Sequence, residues 1–339
     1  MKKVLFTLSL IFATPLLWGA SFDTVMIDNL RYESTIASKA VSPKDFLKLT
    51  LGSDDSHVGG IAQDPKHISE GVPNAFLPLQ DNSVWVLDTN NRKLKRFTSN
   101  GQILSTISLQ EIAPSDEFSA EDFCPAPQDG FYVYVANEGK VFRISSSGTI
   151  IAEIEGVPDT FALSADRQNN VLIHNPAMNS VLKFNPEGEL IEKFDQFDGL
   201  SPYSDIDGKP YGIKGDDSHA IVYKAASASP SSEIELARLV LDVPEERKAH
   251  YASQKILGVD ASWNVYIELV AVDDDGVFHQ NRIMKLSPQG AILGTWEVLS
   301  KPSMSPGLPR HHAVTPNGGI MGFYAYNNEY HLFTFALRH

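Results

Sequence analysis

The sequence predicts an all-β chain closed into a six-bladed β-propeller of four-stranded antiparallel blades, the last blade completed by an N-terminal strand. Three observations predict it. A short motif recurs through the chain, its copies are spaced by one blade's worth of residues, and an orphan strand at one end answers a missing strand at the other.

The motif is Leu94-Lys95-Arg96-Phe97, which recurs as Val141-Phe142-Arg143-Ile144, Val181-Leu182-Lys183-Phe184 and Ile283-Met284-Lys285-Leu286. A glycine follows each copy at the same distance, at Gly101, Gly148, Gly188 and Gly290. One variable residue and two aliphatics come next, at Ile103-Leu104, Ile150-Ile151, Leu190-Ile191 and Ile292-Leu293. A large apolar residue closes each unit at Ile107, Ile154, Phe194 and Trp296. Self-similarity of this kind fixes an architecture before any single residue does.

The period says which architecture. Arg96, Arg143 and Lys183 are 47 and 40 residues apart, and the 102 residues between Lys183 and Lys285 leave room for one more unit. Leu236-Ala237-Arg238-Leu239 is placed there as its third strand, and Leu332-Phe333-Thr334-Phe335 is a decayed sixth copy. Units of 40 to 55 residues made of short strands and Gly/Asn turns are the mark of a propeller. Helical periodicity is almost absent, which argues against a β/α solenoid.

The first unit reads strand by strand. Ala75–Leu79 is the inner strand, Asp81-Asn82 its turn, and Val84–Leu87 the second strand, ending at Asp88. Asn90-Asn91 turn the chain into Leu94–Phe97, and Asn100-Gly101 turn it into Ile103–Ile107. Asx side chains favour such turns by bonding nearby backbone, and glycine supplies positive φ. The basic residue of the motif is expected on the blade face, its stem covering a neighbour. The last unit stops after three strands, whereas Phe46–Leu51 precedes the first unit without a partner. Joining the two removes two open sheet edges. Residues 54–70 then cross into blade one, and residues 22–45 run along the outside of the ring.

The run from Val84 through Asp88, Asn90 and Leu94-Lys95-Arg96-Phe97 to Gly101 resembles an NHL repeat. That family's unit is an apolar strand, Asp, a polar turn with Asn, a hydrophobic-basic-hydrophobic strand, and Gly. Units two, three and five match in part, and units four and six depart most. The resemblance covers residues 71–339 and implies a six-bladed propeller. It implies little about activity, because such propellers include protein-, RNA- and sugar-binding platforms, lactonases and streptogramin lyases; function resides in a site and not in the fold.

Export is the expectation from the N-terminus. Lys2 and Lys3 precede a nearly apolar run, Val4 to Leu17, that is too short for an ordinary membrane span; Gly19, Ala20 and Ser21 follow. Residues 1–21 therefore read as a signal peptide, 22–45 as an N-terminal extension, and 46–339 as one propeller domain in the periplasm or outside the cell. The net charge of −14 becomes −16 without Lys2 and Lys3. A surface so acidic is expected to repel nucleic acid and anionic lipid, both bound mainly through Lys and Arg, and no stretch after residue 21 is apolar enough to insert in a membrane. Its one cysteine, Cys124, excludes an internal disulfide and reads as a small core residue. A monomer is expected.

The channel where inner strands converge is the default binding place. Aligned on their second strands, the units put Asn74, Glu121, Asp159, Gln254 and Arg310 near the inner-strand starts, with Lys209 or Tyr211 from unit four. An ordinary wet channel would show the same polar ring. Arg310-His311-His312 is the densest cationic cluster, but neighbours on a regular strand face opposite ways, so two adjacent histidines cannot share a metal. Asp205-Ile206-Asp207-Gly208 fails as a calcium loop, since Lys209 and Pro210 stand where an oxygen ligand and a glycine belong. No nucleophile elbow, zinc helix, phosphate loop or zinc cysteine pair occurs.

The expected function is an exported, non-catalytic propeller recognising a protein, peptide or glycan, without a cofactor. The alternative is a lactonase-like or streptogramin-lyase-like propeller enzyme, with Glu121, Asp159 and His311 at the channel mouth and Ca²⁺ as a possible cofactor.

Overall fold

A computed structural model describes residues 24–28, 39–60, 72–73, 75–112, 118–126, 130–157, 162–175, 178–195, 199–216, 218–228, 231–242, 250–272, 278–298, 312–326, 328–335 and 337. Three strands precede the first blade: β1 (Thr24–Asp28), β2 (Lys39–Val41) and β3 (Lys44–Thr50). Blade 1 is β4 (Phe76–Pro78), β5 (Val84–Asp88), β6 (Lys93–Phe97) and β7 (Ile103–Ser108). Blade 2 is β8 (Ala120–Pro125), β9 (Phe131–Val135), β10 (Lys140–Ile144) and β11 (Ile150–Ile154). Blade 3 is β12 (Ala162–Ala165), β13 (Val171–Asn175), β14 (Ser180–Phe184) and β15 (Leu190–Phe194).

The later blades have longer strands. Blade 4 is β16 (Leu200–Ser204), β17 (Pro210–Gly215), β18 (His219–Ala228) and β19 (Ser231–Asp242). Blade 5 is β20 (His250–Val259), β21 (Val265–Val272), β22 (Phe278–Leu286) and β23 (Ile292–Val298). Blade 6 is β24 (His312–Val314), β25 (Ile320–Tyr326) and β26 (Glu329–Phe335), with β3 antiparallel to β26 as its fourth strand. The N-terminal strand closes the ring. β1 lies parallel to β19 and β2 parallel to β23, so blades 4 and 5 each have a fifth, outermost strand.

Side chains alternate across each strand, so a blade offers one apolar set to each neighbour. The buried apolar residues accordingly form six clusters, one between each pair of adjacent blades. Leu47, Leu49 and Leu51 meet Phe76, Val86 and Phe97 between blades 6 and 1. Cys124 is buried between blades 2 and 3. The glycines after the third strands take φ values of +84°, +88°, +89° and +91° at Gly101, Gly148, Gly188 and Gly290. Each of these turns also packs on the outer strand of the preceding blade: a Cβ on Gly290 would stand 1.9 Å from Leu236 O.

Blade 4 corrects one reading. Lys224, opposite Tyr211 on β17, occupies the motif's basic position; Leu236-Ala237-Arg238-Leu239 lies on the outer strand β19. The long β18–β19 hairpin lacks the marker glycine, so the motif was placed one strand too late.

The basic residues do more than cover a face. In blades 3, 4 and 5 the turn after the inner strand opens with a buried aspartate. Asp166 meets Lys183 at 2.7 Å, Asp205 meets Lys224 at 2.8 Å and Asp260 meets Lys285 at 2.9 Å. Each aspartate also accepts bonds from its own turn, as Asp205 does from the backbone N–H of Asp207 and Lys209. Burial pushes the Asp260 carboxyl up, but hydrogen bonds from Asn264 and Lys285 outweigh it and hold it below the usual range. The clamp reaches across blades: Lys183 donates to Gly208 O and Tyr266 to Gly318 O.

Candidate functional site

The channel mouth is the end where the inner strands begin. Asn74, Asp159, Arg310 and His311 lie outside the described residues; Glu121 and Gln254 lie within them. Lys209 and Tyr211 are not at the mouth. Both follow the inner strand β16: Lys209 sits in the turn at its far end, 2.7 Å from Glu192, and Tyr211 is fully buried on β17. The displaced motif in unit four carried them to the wrong height.

Glu121 is held by a β-bulge. The register passes from Ala120 opposite Val135 to Asp122 opposite Tyr134, which makes Glu121 the extra residue, partly buried, on β8. A bulge breaks the strict alternation and re-aims one side chain. Its neighbour Asp122 is 1 % exposed and accepts the Leu163 N–H of blade 3 at 2.7 Å. That bond satisfies a backbone donor of the next inner strand and fixes the spacing of blades 2 and 3.

Gln254 is likewise engaged with a neighbour. Its Nε2 donates to Asp216 O at 3.1 Å and His219 O at 3.4 Å, pinning blade 4's turn to blade 5. Within that turn Asp216 Oδ1 accepts from the Ser218 and His219 N–H groups, and His219 Nδ1 lies 3.0 Å from it. The Ser218 backbone bond, with help from the His219 ring, draws the Asp216 carboxyl down to about 2. Ser218 Oγ also contacts His219 Nδ1, at 2.9 Å. Serine, histidine and aspartate therefore meet, but not as a proton relay. A relay needs the carboxylate on one ring nitrogen and the hydroxyl on the other. Here both meet Nδ1.

A second histidine contact is internal. His312 Nδ1 stands 3.4 Å from Glu268 Oε1, joining β24 to β21, and His312 is 3 % exposed. The rings of Phe333 and Phe335 meet it edge-on, and Gly322 opposite leaves it room. Sequence reading singled out His311-His312 as a cluster but had no means of finding Glu268, which lies on another blade.

The mouth is also lopsided. β21 starts directly after its turn, as β5, β9 and β13 do, but runs eight residues where they run five. The extra three raise blade 5 by about 10 Å over the mouth. Bulges at Ala252 and Leu257 bend its inner strand. Among the described residues, no group of three metal-ligating side chains converges.

No family model matches the chain, and no curated protein matches it. Solved structures do. A streptogramin B lyase is 11% identical, with 88% of this chain and 93% of that one covered and a TM-score of 0.46. Virginiamycin B lyase from Staphylococcus aureus is 15% identical, covering 78% and 81%, with a TM-score of 0.45. Glutaminyl cyclase from Myxococcus xanthus is 10% identical, covering 89% and 100%, with a TM-score of 0.42. At such identities a likeness says nothing about substrate or chemistry. The chain is a six-bladed β-propeller.

Proposed function

We propose that this chain is an exported binding propeller that takes a protein, peptide or glycan at the channel mouth, without chemistry and without a cofactor. The observation that carries this is how the polar groups of the mouth are used. Asp122 holds a backbone N–H of blade 3, Gln254 holds two carbonyls of blade 4, and Asp216 and Ser218 share one nitrogen of His219. Groups spent on fixing neighbouring blades build a rigid rim, and a rigid rim suits recognition. Glu121 on its bulge gives that rim an acidic residue. Export rests on residues 1–21 and the NHL kinship on the motif.

Charge reversal tests the site. Glu121→Lys with Asp159→Lys should abolish capture of the native envelope partner and leave the melting temperature unchanged, as expected where the inner strands open onto a wet channel. Retained capture, together with loss on deleting residues 227–232, would move the site to the blade 4 hairpin.

One observation favours an enzyme instead: the Glu268–His312 contact, a carboxylate beside an imidazole. Burial of His312 among phenylalanines fits a core role better. Turnover of a lactone or cyclic depsipeptide that disappears in a folded His312→Gln variant, with or without Ca²⁺, would reverse this preference.

A further inference from the structure

Two second strands overreach on neighbouring blades. β21 and β25 run eight and seven residues toward the mouth, where β5, β9 and β13 run five. The junction between them is closed below and open above. Tyr266, Ile283, Phe333 and Phe335 are buried in it. Alternation carries the same face of β21 upward through Glu268, Val270 and Val272, all partly exposed. The opposite face behaves differently, since Leu269 and Ala271 are buried against blade 4. Among the described residues, the raised wall is thus covered on one side only.

Tyr324 on β25 stands across from the bare side, packed on the same buried cluster. Its ring is partly exposed and lies flat on that of buried His331, with centroids 4.4 Å apart and planes 10° apart. Glu329 Oε2 is 3.0 Å from His331 Nε2, so the backing ring is itself held. The floor is Glu268, whose carboxylate has buried His312 behind it at 3.4 Å. Neither ring nitrogen of His312 makes a hydrogen bond among the described residues, an unmet demand directly beneath the floor. Lys255 is the register partner of Glu268 on β20 and lies on the same face.

The chemistry of the slot selects its occupant. An aromatic face carries negative charge and attracts polarised C–H groups, while a hydroxyl can donate to a carboxylate and accept from an ammonium at once. A sugar ring presents both, C–H groups on its face and hydroxyls on its edge. The buried floor admits such a ring end-on, whereas an extended peptide needs a groove open at both ends. An acidic sugar would meet Glu268, Glu329 and a chain of net charge −14. We propose that the slot between β21 and β25 takes a neutral glycan, a terminal ring lying against Tyr324 with hydroxyls on Glu268 and Lys255. This rests on the mouth being the binding surface, and it narrows the ligand there to one class.

The experiment is an array of neutral and acidic oligosaccharides probed with the whole protein, followed by calorimetric titration of the strongest neutral binder. Binding to a neutral glycan is expected. Tyr324→Ala and Glu268→Gln should each weaken it about tenfold or more, with an unchanged melting temperature as the check on folding. Tyr324→Phe keeps the aromatic face and should keep the affinity. An array with no neutral binder overturns the proposal, and so does a neutral binder whose affinity survives both folded variants. The wider reading is separable. If Glu121→Lys with Asp159→Lys loses the envelope partner while Tyr324→Ala and Glu268→Gln retain it, the mouth stands as the site and the glycan slot falls. If all of these variants retain the partner, both fall; a partner that proves to be a peptide, held without Tyr324, overturns the slot alone.

Discussion

Blades 1 and 3 each bury a lysine of the third strand against an aspartate, yet the two pairs serve opposite neighbours. In blade 3, Lys183 and Asp166 clamp the turn after the inner strand and reach Gly208 of blade 4. In blade 1 the buried lysine is Lys95, one residue before the motif's basic position. It meets Asp88 at 2.9 Å, and neither side chain is exposed. Lys95 also donates to His57 O, while Asp88 accepts the Gly59 N–H and Asn91 binds Gly52 O. A shift of one residue turns a side chain to the other face of its strand. The same chemistry thus fastens an ordinary blade junction in one place and the crossing from blade 6 into blade 1 in the other.

The largest test removes what blade 1 fastens. Deleting residues 1–52 takes away β1, β2 and β3, opens blade 6 along β26, and should yield aggregated protein. Deleting residues 1–38 keeps β2 and β3 and should leave a soluble chain; equal yields and equal melting temperatures would show that closure does not matter. Next, Lys95→Ala strands a buried carboxylate and should cost about 3–5 kcal/mol in chemical unfolding. Lys183→Ala should cost a similar amount. Only the first should speed proteolysis within residues 52–60. Protection there in both variants would erase the distinction between the pairs.

Blade 3 supplies two smaller effects. Burial alone holds the His174 imidazole down to about 4. Between the unfolded value near 6.5 and that figure, the unfolded chain binds a proton that the folded one refuses, so stability is full above the window and falls as pH drops through it. The loss should be on the order of 2 kcal/mol, and His174→Phe should flatten this part of the denaturation profile. A wild-type profile with no such slope would mean the ring is solvated. Last, Gly188 sits at φ +89°, and a Cβ there would press to 3.3 Å from Glu153 O. Gly188→Val should cost about 1–3 kcal/mol from backbone strain, read from the urea midpoint. No shift would mean that the turn relaxes.

The ring was legible because its markers are local. Each motif glycine sits in a tight turn at positive φ, and each aliphatic set lies within about a dozen residues of the basic position. Closure by the strand at Phe46–Leu51 was legible as well, since an incomplete last blade needs a partner. Blade 4 was misread where a longer hairpin replaced the glycine turn, which also misplaced Lys209 and Tyr211. The clamps were missed because each joins residues on different strands: Asp260 and Lys285 are far apart in sequence but 2.9 Å apart in space. A recurring aspartate after the inner strands, at Asp166, Asp205 and Asp260, was the available signal. The site was least legible. Glu121 was marked without its bulge, and Gln254 without the two carbonyls it holds.

The pairing of β3 with β26 also sets an order of events in time. Among the described strands β3 is one of the first to be synthesised and β26 the last, and Asn328 reaches back to Leu51 across 277 positions of chain. A contact of that span forms late, because most of the chain must be ordered before its ends meet. Blades 1 to 5 can assemble as they emerge, but the ring stays an open crescent until β26 is made. During that interval the early segment has nowhere to dock, and the exposed faces of blades 1 and 6 are at their most vulnerable. A chaperone acting before β26 emerges would meet this protein unclosed, whatever the stability of the finished ring.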